Sequence, residues 1–401
     1  MTLPKGSATI PPRCRGLNEG TCHKKMFELG KLNSVLKVLQ ANVRILPAAG
    51  GAIEDLQRPD IEEIEDSLIN KEIAEVTAFA EEPDPVGQPI YVSTPPVHRL
   101  KDHLFRFFID GSLRTYYIAT AIERDRTFPV ELAQIGSACI HRLDSGRLTA
   151  HGCRNRVLLL VPKGGEGMSD DIFDELAKLN SPDESFQVID TLEKTIHTSK
   201  GDIDLRTRAG GIARNRMHRI EIEIIKSTDG QRGDNAWVIL DGAVKLDTFI
   251  QVDHLIGVAK SFDKKPQFHI PGEKTRNADV TGLIAGLPYA HRTRAFQAHG
   301  GKVAFWYVRL WEQVHLDYPL MGVVKIELPR PTGEPAPADL INRLSSALVA
   351  ERSVTPYGQD KRWHCHLYPI FCAEQTIKSR FYTQDVLLGA IRWPRPTIST
   401  S

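Results

Sequence analysis

With 401 residues, 41% of them hydrophobic, the chain carries enough apolar material for one large folded domain or two ordinary ones, which excludes a disordered or fibrous protein. Lys plus Arg number 51 against 50 Asp plus Glu, so the overall charge selects no polyanionic partner and any basic surface must come from local clustering. Cys14, Cys22, Cys139, Cys153, Cys365 and Cys372 form no CxxC pair and no repeated spacing, which argues against a zinc site or a disulfide framework and for reduced thiols.

The chain begins MTLPKGSATIPPRCRG, with charges and prolines where a signal peptide needs an apolar run. No stretch approaches the ~18 apolar residues of a membrane span, so the expected location is cytoplasmic. Residues 1 to about 22 read as a flexible arm. From Lys24 to Leu39, Met26, Leu29, Leu32, Val35, Leu36 and Leu39 recur at three- and four-residue steps and predict an amphipathic helix. A second helix, acidic on its outer face, is expected from Ile61 to Phe79. The cluster EEPDPVGQP then breaks the periodicity, because each proline removes a donor and restricts its predecessor. It marks a boundary near residue 98, between an N-terminal arm with helical extension (1–98) and the main domain (99–395), with a tail at 396–401.

Beyond the boundary, LFRFFID and SLRTYYIATAI read as two adjacent antiparallel strands with Gly111 at a sharp bend and Asp110 ending the first. Strands follow at RVLLLVP and AWVILD, with a helix around Arg206 to Lys226, and then a strand at LIGVAKSF. Two strong strands, VAFWYVRLW and LMGVVKIELP, precede a helix from Pro337 to Glu351 and a C-terminal helix beginning around Phe371. This alternation predicts an α/β fold, a mixed sheet flanked by helices.

FFIDG and VILDG each place an aspartate, Asp110 and Asp241, at the end of an apolar strand with glycine next. Either alone is a common turn dipeptide; two together suggest a shared site of hard oxygen ligands for Mg²⁺ or Mn²⁺. In two-metal hydrolysis the ions lie about 3.5–4 Å apart, and the charge load calls for a further carboxylate. The stretch MHRIEIEIIK offers Glu221 and Glu223. In a helix Glu221 shares a face with Met217, Ile224 and Ile225 and points inward, whereas Glu223 falls beside Arg219 and Lys226 as an ordinary ion pair. Were the run a strand, both glutamates would share one face and the choice would lapse.

The segments FIDGS, WVILDGA, LIGVAKSF, RTRAF, WYVRL, PLMGVVKIELP and a C-terminal YPI leading into a helix resemble, in this order, the NurA domain of DNA end-processing nucleases over about residues 99 to 395. The resemblance implies a ribonuclease-H-like, Piwi-related fold and manganese-dependent (or magnesium-dependent) cleavage of DNA. It also implies a homodimer working with a hexameric HerA-type ATPase, in end repair or in defence against foreign DNA. It assigns the catalytic aspartates to Asp110 and Asp241, an intervening helix glutamate to Glu221, and a tyrosine to Tyr368. Where the family has a histidine after Tyr-Pro, this chain has Glu374, which can bind a cation but cannot act as an imidazole. His364 and His366 lie just upstream.

Lys260, in the apolar strand LIGVAKSF, is expected to meet a carboxylate or a DNA phosphate. Arg292, Arg294 and Arg309 form an expected phosphate-binding set, since arginine pairs bidentately with phosphate. Trp306, Tyr307 and Trp311 could stack on bases, and strand alternation leaves one of the first two outward unless both faces are covered. The sequence contains no GxxxxGK[ST], so motor power must be borrowed. Two other readings compete with the nuclease: a catalytically impaired nucleic-acid-binding or scaffold subunit, and a metal-dependent phosphatase.

Overall fold

The computed structural model describes residues 27–48, 78–98, 103–193, 204–244, 247–262, 270–271, 280–313, 318–354 and 363–393. The expected arm at 1–22, most of the helix expected at Ile61 to Phe79, and the tail lie outside them.

A 3₁₀ turn leads into helix α1 (Leu32–Asn42), whose Leu32, Val35, Leu36 and Leu39 are buried at helical spacing. The apolar stripe is the predicted one, but the regular helix starts and ends later. After β1 (Arg44–Pro47) come the short strands β2 (Glu81–Glu82) and β3 (Tyr91–Ser93). Then β4 (Phe105–Glu123), β5 (Arg126–Arg142) and β6 (Leu148–Val161) form an antiparallel meander. Helix α2 (Asp170–Ala177) and strand β7 (Phe186–Asp190) precede α3 (Leu205–Lys226), β8 (Trp237–Asp241) and β9 (Leu255–Ala259). Strands β10 (His291–Thr293), β11 (Phe296–Ala298), β12 (Val303–Arg309), β13 (Val323–Pro329) and β14 (Ala336–Pro337) follow, and the described chain ends in α4 (Ala338–Glu351), α5 (Tyr368–Lys378) and a short helix at Gln384–Gly389.

The principal sheet has twelve strands with the main order β3-β10-β12-β13-β9-β8-β4-β5-β6-β7. It is mixed: β4 with β8, β8 with β9 and β6 with β7 are parallel, and the other pairs are antiparallel. Helix α3 buries Ile212, Met217, Ile220 and Ile224 against Phe107, Ile109, Val238 and Leu240 on one face. Helices α4 and α5 cover the other, where Leu344, Leu348, Ile370 and Ala373 meet Phe108, Ile239 and Trp306. The protein is thus α/β, a large mixed sheet flanked by helices, and among the described residues no helix is long and apolar enough to cross a membrane.

Three expectations are corrected. The segment from Phe105 to Glu123 is one 19-residue strand, not two strands bent at Gly111. Gly111 stays extended and paired with Ser137; a Cβ there would lie 2.4 Å from Glu221 Oε1 and 2.8 Å from Met217 Sδ, so the glycine serves the close approach of α3. The boundary near residue 98 is crossed by pairing: β3 joins β10, β2 joins β14, and Phe79 bridges Phe296. The C-terminal helix begins at Tyr368 rather than Phe371, because Pro369 falls in its first turn, where a missing N–H costs nothing.

Candidate active site

Strands β4 and β8 are parallel, and β8 stops at Asp241 while β4 runs on past it. The carboxyl ends of parallel strands in an open sheet are where ligands bind, because there the chain leaves the sheet and opens a crevice. Here the crevice is a cleft of about 510 Å³. Five consecutive β4 residues, Asp110 to Arg114, line it along the strand's edge; α3 adds Arg214, Met217, His218 and Glu221; α5 adds Glu374 and Lys378.

Strand alternation divides the contributions. Ile109 packs under α3 and Phe108 under α5, so Gly111 faces α3 while Asp110 faces α5. Glu221 reaches the edge of β4 from the α3 side because Gly111 has no side chain to stop it. It is 1% exposed, and its Oε2 meets His218 Nδ1 at 2.7 Å. Helix α3 is secured at its start by Asp204, which accepts from the Arg206 and Thr207 amides. The MHRIEIEIIK run is therefore helical, and Glu221 lies inward. Glu223 points elsewhere, to Arg154 at 2.6 Å and Arg156 at 3.1 Å on β6 rather than to Arg219 or Lys226. Burial opposes its charge, but the two arginines outweigh that and hold its carboxyl below the usual range.

Asp241 pairs with Lys260 Nζ at 2.8 Å, and the loop behind it is fixed in two ways. Gly242 takes a left-handed φ of 105° and donates to Val258 O, and the Val244 amide donates to Glu327 Oε2 at 2.7 Å. Glu327 is buried and paired with Lys325 at 2.6 Å. Burial opposes its charge too, yet Lys325 outweighs it and keeps the Glu327 carboxyl below its ordinary pKa. Glu374, on α5, pairs with Lys378 one helical turn on.

Asp110 carries the electrostatic stress of the site. Burial first, then the Asp241 carboxylate, push its pKa well above the usual carboxylate range; Lys260 opposes this, while Glu374 and Glu221 add to it. Burial opposes the charge on Lys260 as well, but Asp241, Asp110 and Glu374 together raise its pKa. Its ammonium thus supplies positive charge to a set of carboxylates that would otherwise repel one another.

The structure thus brings Asp110, Glu221, Asp241, Lys260, Glu374 and His366 to one cleft. His364 is buried against Trp363 instead. Tyr368 is exposed at the start of α5, with its ring toward Phe371, and does not line the cleft. The expected phosphate-binding arginines are corrected. Arg292 is fully buried and bonds Glu81 at 2.7 Å, Arg294 bonds Glu81 at 2.9 Å, and Arg309 donates to the carbonyls of Met321, Ala285 and Pro319. Trp306 and Tyr307 are both buried because both faces of β12 are covered, and Trp311 packs edge-on against Trp363. The sequence reading passed over Arg114, Arg214 and His218. The signal was there in steps of seven and three residues back from Glu221 on α3, and of four along β4 from Asp110.

Four carboxylates, those of Asp110, Glu221, Asp241 and Glu374, line the one cleft, and hard oxygen donors are the kind that a divalent cation takes. Among the described residues no three His, Cys, Asp or Glu side chains are grouped to hold a metal ion directly. Asp241, Glu374 and Glu221 are instead engaged by Lys260, Lys378 and His218. No protein-family model matches the chain, and no curated protein matches it, so the site is read from its own geometry.

Proposed function

We propose that the chain is a metal-dependent DNA nuclease with a ribonuclease-H-like core. The observation that carries this reading is the convergence of Asp110 and Asp241, from adjacent parallel strands, with Glu221 and Glu374, from helices on opposite faces of the sheet, in one open cleft. The order β6-β5-β4-β8-β9, a meander continued by two strands parallel to its first, supports the ribonuclease-H-like reading. The resemblance to NurA nucleases, carried by FIDGS, WVILDGA and LIGVAKSF, supports DNA as substrate, a homodimer, and a HerA-type ATPase as the motor.

In this reading Asp110, Asp241, Glu221 and Glu374 would hold Mn²⁺ or Mg²⁺, which when bound would supply Lewis-acid stabilisation of the phosphoryl oxygens and an activated water. Asp110 and Asp241 would place that cation at the carboxyl end of β8. Glu327 and Gly242 keep the Asp241 loop in place, and Lys260 holds Asp241 while offering a cation to the phosphate. His218 orients Glu221.

The test is cleavage of labelled linear DNA, free of phosphomonoesters, by wild type and Asp110→Ala with Mn²⁺, Mg²⁺ or chelator, with and without the ATPase. Metal-dependent cutting that falls more than about 100-fold in the variant is expected, the scale lost even with an outer partner of a metal ligand. A second reading, a nucleic-acid-binding scaffold, draws on Lys260 and Lys378 already neutralising Asp241 and Glu374; DNA binding without cutting under every condition would select it.

Gly111→Ala probes the same centre without touching a ligand. The new methyl must displace both Glu221 Oε1 and the flexible end of Met217. Overpacking of this kind costs about 1–3 kcal/mol. We expect a modest loss of stability by denaturant titration together with a large loss of cleavage. Full cleavage would show that Glu221 is dispensable.

A further inference from the structure

The cleft has two chemically different ends. Helix α3 runs antiparallel to β4: Glu221 and Met217 lie over Gly111, and near the start of the helix the Arg206 guanidinium lies 4.4 Å from the ring centroid of Tyr117. Arg214, midway between, therefore lies alongside the Leu113 to Arg114 stretch, and both arginines line the cleft. Helix α5 runs alongside the other face in the direction of β4. Ile377 packs on Gly136, the partner of Ser112, and the Tyr382 amide bonds Gln134, the partner of Arg114. Phe381 stands next to Arg114, whose guanidinium is 5.8 Å from its ring centroid.

One end thus gathers Asp110, Glu221, Asp241 and Glu374, and the other gathers Arg114 and Arg214, with the buried Phe381 ring behind Arg114. Four strand residues separate Asp110 from Arg114, about 13 Å of backbone, and seven helix residues separate Glu221 from Arg214, about 10 Å. Arg114 is exposed, and its one contact among the described residues is the Phe381 ring; it makes no ion pair or hydrogen bond there. Arg114 thus presents its cation to solvent at this end of the cleft, with no internal counterion among the described residues. Between Asp110 and Tyr117, the edge of β4 facing this cleft pairs with no described strand, since β8 leaves at Ile109 and β1 joins only at Ala119. The edge is an open track joining the two ends.

We propose that Arg114, backed by the buried Phe381 ring, and Arg214 form a subsite for a phosphate distant from the one being cleaved. The bound substrate is then a nucleic-acid strand several nucleotides long lying along the edge of β4, not a mononucleotide or a lone terminal phosphate. This rests on the nuclease reading and deepens it by naming the length and path of the substrate. Guanidinium is the group suited to the task, because it bonds phosphate bidentately and also stacks on a ring.

The experiment is equilibrium binding in chelator, where no cutting occurs, of a labelled dinucleotide and of a single strand of about 12 nucleotides, to wild type, Arg114→Ala, Arg114→Lys and Arg214→Ala, between about 50 and 200 mM salt. For the longer strand, each alanine variant should lower the slope of log affinity against log salt by about 0.7, the loss of one single-strand phosphate contact. Arg114→Lys should keep the slope, and the dinucleotide should show no change. An unchanged slope in both alanine variants, with DNA cutting by wild type intact, overturns the subsite alone. An equal slope change for the dinucleotide overturns it in favour of a terminal-phosphate site. Failure of wild type to bind the longer strand overturns the subsite, and overturns the nuclease reading with it only where metal-dependent cutting is absent too.

Discussion

Asp110→Asn is expected to make the metal-free protein more stable while abolishing cleavage. Asparagine keeps the size and shape of the side chain but removes a charge that burial and the Asp241 carboxylate disfavour. A gain on the order of 1 kcal/mol is the scale seen when a strained functional residue is relieved. The sign with pH follows from linkage. In the unfolded chain Asp110 ionises near the ordinary pKa of about 3.9, whereas in the fold it holds its proton to higher pH. As pH rises from the first value through the second, the unfolded state loses a proton that the native state keeps, and wild-type stability falls relative to the variant. The two melting temperatures should therefore coincide below about pH 4 and separate as pH rises. Adding Mn²⁺ should raise the melting temperature of wild type, through preferential binding to the native state, and raise that of Asp110→Asn far less. Equal responses to the metal would place the cation elsewhere, and equal melting at neutral pH would mean that Lys260 fully compensates the Asp110 charge.

The same residue shows what the sequence could and could not convey. Strand β8, helix α3 and strands β9, β12 and β13 were legible because their patterns are local: apolar runs bounded by Gly and Asp, or a 3.6-residue period. Glu221 was separable from Glu223 because helical spacing puts them on different faces, and the structure has Glu221 at the cleft and Glu223 on the arginines of β6. Gly111 was misread because its reason is not local. A glycine between two apolar stretches looks like a bend, yet what it accommodates is Glu221, more than a hundred residues later. The paired ends of the cleft were invisible for a related cause, since the opposition of Arg114 to Arg214 and Phe381 depends on α3 running against β4 and α5 running with it.

Arginines 292, 294 and 309 mark the opposite limit. In sequence they are a cluster of free cations; in the fold each is engaged by groups that no short-range pattern predicts, a glutamate 211 residues away for Arg292 and a ring of backbone carbonyls for Arg309. Arg114, with no such partner, resembles its neighbours in sequence and differs only in context.

Glu81→Ala is expected to be the most destabilising single substitution considered for this chain, and it bears on where the folded unit begins. Glu81 and Arg292 are both fully buried side chains 2.7 Å apart; Glu81 also bonds Arg294 at 2.9 Å, and Arg292 Nε bonds Asn342 on α4 at 2.8 Å. Desolvating such charges costs about as much as their attraction returns, so the intact pair contributes little net stability. Removing one partner leaves a buried guanidinium uncompensated, at a cost of about 3–5 kcal/mol. Denaturant unfolding should show that loss for Glu81→Ala, a much smaller one for Arg294→Ala, whose partner keeps Arg292, and substantial recovery in the double variant Glu81→Leu, Arg292→Met, which removes both charges. A loss under about 1 kcal/mol for Glu81→Ala would mean that water or neighbouring carbonyls satisfy Arg292 without it. Because Glu81 lies before the boundary read from the sequence, the same arithmetic applies to a fragment starting at residue 99. It would keep Arg292 and Arg294 but lose Glu81, and it would strip β3 from β10. Such a fragment should unfold at markedly lower denaturant than the full chain, since its sheet would be left with a raw edge and the buried Arg292 and half-buried Arg294 without their carboxylate.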